Sequence, residues 1–138
     1  MVAWIEDDAD EIAVVVKPLL RAGIEFRIYH NYTEAIESVE EIRAADLILL
    51  DLIIPPGSAG PVRPADAEED EEFLGKTLFR ELRATFDVRT PVIVLSVVAD
   101  NGGFSKETFD DPPIQALAKP IRPSVLKTEV LRALGIEP

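Results

Sequence analysis

Cysteine is absent from this 138-residue chain, which removes disulfides, thiolate metal ligands and thiol nucleophiles from its chemistry. Histidine occurs once, at His30, so no histidine metal cluster can be built; His30 and the single tryptophan, Trp4, read as structural residues. Positive charge is scarce. Lys and Arg number 14 against 26 Asp and Glu, and a net charge of −12 repels phosphate backbones, so direct nucleic-acid binding is not expected. No apolar run approaches the ~20 residues of a membrane-spanning helix, and no signal-peptide pattern precedes the first apolar run. Neither membrane association nor export is therefore expected, and the cytoplasm is the default compartment. What remains is 47% hydrophobic and 29% charged, a balance suited to one globular domain with one sizeable core.

Strand-like and helix-like patterns alternate along the chain. Val2-Ala3-Trp4-Ile5 is a short apolar run without helical spacing and predicts a buried strand. Ile12, Val15, Val16, Leu19 and Leu20 recur at helical intervals up to Gly23, with Pro18 expected to kink or loosen that helix. Phe26 to Tyr29 alternates as a strand. Ala35, Ile36, Val39 and Ile42 predict a second helix, with Asn31 or Thr33 available as its N-cap. A strand over residues 46–50 leads to Asp51, and Leu74, Leu78, Leu82 and Phe86 mark a third helix. Pro91 to Leu95 and Ile114 to Ala118 predict two more strands. Leu126, Val130 and Leu134 form the stripe of a last helix, with Pro123 in its first turn and Gly135 at its end. This alternation implies an α/β fold, a doubly wound parallel sheet with right-handed crossovers and helices on both faces.

Two segments break the pattern. Residues 52–72 contain Pro55, Pro56, Gly57, Gly60, Pro61 and Pro64, then an acidic run from Asp66 to Glu72. So long a loop in a compact domain is either a shield or partner surface at a site, or a solvated mobile segment. From Asp100 to Pro113, where another helix belongs, Asn101-Gly102-Gly103 and Pro112-Pro113 leave room only for a short or distorted one.

The residues at the strand ends carry the chemistry. Asp51 follows an apolar strand and precedes a Pro/Gly-rich loop, in the crevice where open α/β sheets bind ligands. Glu6-Asp7-Asp8 ends the first strand, Ser96 follows the fourth, and Lys119-Pro120 follows the fifth. One acid of the first group serves as a helix cap; three exceed what capping requires. Carboxylate oxygens with a backbone carbonyl and water suit Mg2+ or Mn2+. Asp51 is the candidate nucleophile toward phosphorus, with Lys119 and Ser96 positioned to pair with phosphoryl oxygens.

In Ile5-Glu6-Asp7-Asp8, Leu49-Leu50-Asp51-Leu52-Ile53-Ile54-Pro55, Pro91 to Ser96 and Leu117-Ala118-Lys119-Pro120-Ile121, the chain resembles the receiver domains of two-component response regulators. The resemblance spans 1–138 except for the two irregular segments. It implies a flavodoxin-like five-stranded parallel sheet in the order 2-1-3-4-5, and phosphorylation of Asp51 by a histidine kinase or phosphotransfer protein. It also implies Mg2+ (or Mn2+) held by Glu6, Asp7, Asp51 and the backbone carbonyl of Ile53. Ser96 would be the switch hydroxyl and Lys119 the phosphoryl-binding lysine.

The departures bear on signalling. Three residues before the lysine, where receivers commonly carry an aromatic, stands Ala116, so the usual hydroxyl–aromatic coupling is lost. Val97 replaces the usual Ala or Gly after the hydroxyl residue and narrows the pocket. Ile53 and Val98, each two positions beyond a site residue, cannot orient a hydrolytic water, which implies slow self-dephosphorylation. Asp8 stands beside the metal-binding pair as a modulator. Three readings follow. The first is a single-domain receiver that signals to an unknown downstream protein. The second is a degenerate receiver serving as a docking or dimerisation module, with a homodimer through the fourth helix, fifth strand and fifth helix. The third is a small phosphohydrolase of the haloacid-dehalogenase type, using Asp8-Ala9-Asp10; that family needs acidic ligands after its lysine, which this chain does not supply.

Overall fold

Four apolar residues in succession, Val2 to Ile5, are all inaccessible to solvent, as expected for an inner strand of a parallel sheet covered on both faces. In the computed structural model, which describes residues 1–57, 74–96 and 111–137 (without the side chains of Ala9 and Ser96), this strand is β1 (Val2–Ile5). It lies between β2 (Phe26–Tyr29) and β3 (Leu47–Asp51), with β4 (Val92–Ser96) and β5 (Gln115–Ala118) beyond β3. All four pairings are parallel, and the order is 2-1-3-4-5. That is the order the resemblance implies.

Alternation along the strands sorts the core into two layers. Ala3, Ile5, Ile48, Leu50, Val92 and Val94 face one way, against Tyr32, Ala35, Ile42, Leu78, Phe79 and Leu82. These come from α2 (Tyr32–Glu37), α3 (Val39–Arg43) and α4 (Leu74–Ala84). Val2, Trp4, Leu47, Leu49, Ile93 and Leu95 face the other way, against Val15, Leu19, Leu126 and Val130. These belong to α1 (Ala9–Arg21) and α5 (Pro123–Ala133). Each fully buried Leu, Ile or Val contributes about 1.5–3 kcal/mol, so the two layers hold both helix sets against the sheet.

Several local expectations are adjusted. The stretch from Ala35 to Ile42 is two short helices, not one. Ser38 separates them at φ −111° and ψ 23°, with its N–H shared between the carbonyls of Glu34 and Ala35. Serine competes with the helical backbone and is a weak interior residue. Asn31 is the cap of α2, through Glu34 N–H. Pro18 lies within α1 without ending it. Phe86 falls beyond α4, and β3 extends through Asp51 itself. The acidic part of the 52–72 loop and most of the 100–113 segment lie outside the described residues.

Two anchorings hold the described residues on either side of the long segment after β3. Tyr32 and Thr33, at the start of α2, donate backbone N–H groups to the carbonyls of Pro55 (3.0 Å) and Pro56 (3.1 Å). Gly57, at φ +81°, packs on this corner, where a Cβ would lie 2.5 Å from Asn31 Oδ1. On the other side, Gly75 N–H donates to the Leu52 carbonyl at 2.9 Å. Arg83 is a buried tie that the hydrophobic pattern of α4 conceals. Its guanidinium donates to the carbonyls of Val88 and Thr90 (both 2.8 Å) and of Asp111 (3.0 Å), joining the approaches to β4 and β5.

Gly75 lets α4 touch the end of β3. An added Cβ would sit 2.2 Å from the Asp51 carbonyl oxygen and 2.6 Å from Leu52 Cα, both backbone atoms that cannot turn aside. Gly75→Ala is therefore expected to destabilise by about 1–3 kcal/mol in urea unfolding. Unchanged stability would contradict this close approach.

Candidate functional site

Strand parity places the site. Glu6 continues the Val2–Trp4 side of β1, Asp51 the Leu47–Leu49 side of β3, and Lys119 the Leu117 side of β5. All three therefore project at the carboxyl ends of the strands toward the α1 layer. Glu6 and Asp51 each stand one residue beyond the Ile5–Leu50 pair. Glu6 is fully buried, Asp51 is 6% exposed, and the Lys119 side chain is 10% exposed.

Lys119 Nζ donates to Glu6 Oε1 at 2.6 Å, Asp51 Oδ2 at 2.7 Å and Glu11 Oε2 at 2.9 Å. Asp51 Oδ1 accepts the backbone N–H of Ile53 at 3.0 Å, which fixes the carboxylate at both oxygens. Asp8 caps α1, accepting from Glu11 N–H at 3.1 Å. Asp7 is exposed beside it, and its N–H donates to Glu6 Oε2 at 3.1 Å. A shallow cavity of about 390 Å³ opens over this cluster, lined by Glu6, Asp7, Asp8, Glu11, Asp51, Ile53 and Lys119.

The sequence-predicted acids and lysine thus converge. Glu6, Asp7 and Asp51 each offer a carboxylate oxygen within 4.8 Å of the others, close enough for one hard cation. Ile53 lines the same cavity and is half-exposed. The Ser96 backbone ends β4 beside Ala118; its hydroxyl, and the whole of Val97 and Val98, lie outside the described residues. Ala116 faces the opposite layer, against the core of α2 to α4. Trp4 is fully buried with its ring 6.1 Å from Phe26, in the structural role expected of it. His30 pairs with Glu34 (3.3 Å), away from the cavity lining.

Glu11 is the site residue that the hydrophobic pattern misses. Its signal is present: Asp8-Ala9-Asp10-Glu11 has capping-box spacing. The structure forms one half of that box through Glu11 N–H, while the Glu11 carboxylate accepts from Lys119.

Burial pushes the Glu6 carboxyl up to about 9, reinforced by the neighbouring Asp51 and Glu11 and opposed by Lys119. Burial alone would lower the Lys119 ammonium, but its bonds to Asp51, Glu6 and Glu11 outweigh that and hold it above its ordinary range.

In sequence, no family model matches the chain, and no curated protein matches it. Among solved structures, similar folds are response-regulator receiver domains. That of Francisella response regulator 1452 matches with a TM-score of 0.69 at 20% identity, over 97% of this chain and 95% of its own. The receiver domain of NtrX from Brucella abortus gives 0.69 at 19% identity, over 98% of each chain. The BeF3-activated N-terminal receiver domain of Klebsiella pneumoniae RstA gives 0.68 at 20% identity, over 96% of this chain and 97% of its own. The chain therefore has the receiver fold, in its flavodoxin-like 2-1-3-4-5 form.

A carboxyl whose pKa is raised on folding stabilises fully below its unfolded value, and that contribution is lost as pH rises through the folded value. With a chelator present, the urea midpoint is expected to fall between about pH 6 and pH 9, and to fall less in Glu6→Gln. Parallel profiles for the two proteins would contradict the assignment.

Proposed function

We propose that the chain, over residues 1–138, is a receiver that accepts a phosphoryl group on Asp51 and signals through protein–protein contact. The observation that carries this reading is the convergence of Asp51, Lys119, Glu6 and Asp7 at one end of the receiver sheet. An Asp51 oxygen would attack phosphorus, forming an O–P bond as the bond to the leaving group breaks. That leaving group, a kinase imidazole or the acetate of acetyl phosphate, departs with the electron pair. Lys119 would pair with a phosphoryl oxygen, and Ser96 is assigned a second one.

Glu6, Asp7 and Asp51, with the Ile53 carbonyl, are the residues that would hold Mg2+ or Mn2+; when bound, the ion supplies positive charge against the phosphoryl oxygens. The fit is chemical: an all-oxygen set with one exposed and two buried carboxylates suits a hard cation that keeps some of its water.

Upstream, this reading calls for a histidine kinase or phosphotransfer protein. Downstream, it calls for a protein partner, a second copy of the chain among the candidates. No helix among the described residues is long and apolar enough to cross a membrane, and the proposed setting is the cytoplasm. The domain would carry out no turnover beyond self-phosphorylation and slow self-dephosphorylation. The observed strand order is that of receivers, which removes support from the phosphohydrolase reading. Ala116 favours a docking module as the second reading, because the position can supply no aromatic to report the state of Asp51.

Intact mass after incubation with acetyl phosphate and Mg2+ tests this. A phosphate-sized gain is expected in the native chain and not in Asp51→Asn, decaying more slowly than in Ile53→Asn. No gain in folded native protein would leave the docking reading, and equal decay would refute the role given to Ile53.

A further inference from the structure

The ammonium that an incoming phosphoryl group would need is already surrounded. Lys119 has three N–H donors, and Glu6, Asp51 and Glu11 take bonds of 2.6, 2.7 and 2.9 Å from them. Two of these acceptors are the strand-end acids. The third comes from the first turn of α1, on a side chain 21% exposed, more than either of the other two. Its backbone N–H donates to Asp8 Oδ1, and its side chain lines the cavity. Glu11 is not among the three acids whose oxygens lie together within 4.8 Å. It touches the lysine and neighbours Glu6 without belonging to that group.

We infer that Glu11 is a positioning residue that holds Lys119 in the resting site and must release it before a phosphoryl oxygen can be paired. This inference rests on the acceptor reading above. Glu11 acts in two opposed ways. Its charge adds to the negative potential of the cavity and so favours a divalent cation. The same charge competes with the phosphodonor's oxygens for Lys119 and repels the anionic donor. Loss of the charge should therefore weaken cation binding while hastening phosphoryl acceptance, which a simple packing role would not do.

The test compares the native chain with Glu11→Gln and Glu11→Asp. Binding of Mn2+ is followed by loss of the free-ion signal in electron paramagnetic resonance, and phosphoryl gain from acetyl phosphate is timed by intact mass at saturating metal. Glu11→Gln is expected to bind Mn2+ on the order of threefold more weakly and to accept phosphate on the order of threefold faster, the scale of one partly exposed charge. Glu11→Asp keeps the charge but is shorter, so it should retain near-native Mn2+ binding while accepting phosphate faster. Loss of both properties together would mean a structural role and overturn the inference. An unchanged rate in Glu11→Gln, with the native chain gaining phosphate, would overturn this inference alone. No gain in any of the three proteins, with Mn2+ bound, would overturn the acceptor reading and this inference with it. Gain in Glu11→Gln but not in the native chain would support a complete gate.

Discussion

One ammonium, that of Lys119, organises the functional end of this molecule. It stands among carboxylates drawn from β1, α1 and β3, and it reaches them from the end of β5, more than a hundred residues along the chain from Glu6. A buried charge is tolerated only when it is paired and hydrogen-bonded, and here each side of the arrangement depends on the other. Without the ammonium, Glu6, Glu11 and Asp51 would face one another nearly dry. Without the acids, Lys119 would be a cation at the edge of an apolar core. The convergence therefore ties the ends of β1, β3 and β5 together as well as supplying the chemistry.

The fold delivers this cluster by simple means. Period-two alternation in three strands sends Glu6, Asp51 and Lys119 to the same face, continuing rows of core residues. Just beyond Asp51, the chain is tied to the start of α2 through Pro55 and Pro56 and to the start of α4 through Leu52 and Gly75. Burial of the Glu6 carboxyl, with Asp51 and Glu11 beside it, holds that group well above its ordinary range, so its ionised form opposes folding. Site and scaffold thus pull in different directions, a tension common where residues are arranged for binding rather than stability.

Much of this was legible from the residues. Apolar runs with no helical spacing marked the inner strands, and acids or a lysine directly after them marked the sheet's functional edge. Asn31, one of the two caps on offer, starts α2, the last helix ends near Gly135 as expected, and the strand order is the one the family resemblance implies. Less legible were features that depend on distant backbone. Gly75 matters because Asp51 and Leu52 lie against it, and Arg83 because three carbonyls from two other segments meet there. Neither leaves a local signature in hydrophobic spacing. Glu11 did carry a local signal, the capping-box spacing, but that pattern predicts a bond to its own helix end rather than to a lysine just beyond β5. The break at Ser38 was hidden because Ala35, Ile36, Val39 and Ile42 keep helical spacing across it.

The interdependence of Lys119 and its acids is the central claim, and a double-mutant cycle measures it most directly. Unfolding free energies would be compared for the native chain, Lys119→Met, Asp51→Asn and the double variant, in the absence of divalent metal. Lys119→Met alone is expected to cost about 3–5 kcal/mol, because it leaves buried carboxylates unpaired. Asp51→Asn in that background should recover part of the loss, giving a coupling of at least about 1 kcal/mol. A small cost for Lys119→Met, strictly additive with Asp51→Asn, would mean that the ammonium does not hold this end of the sheet together.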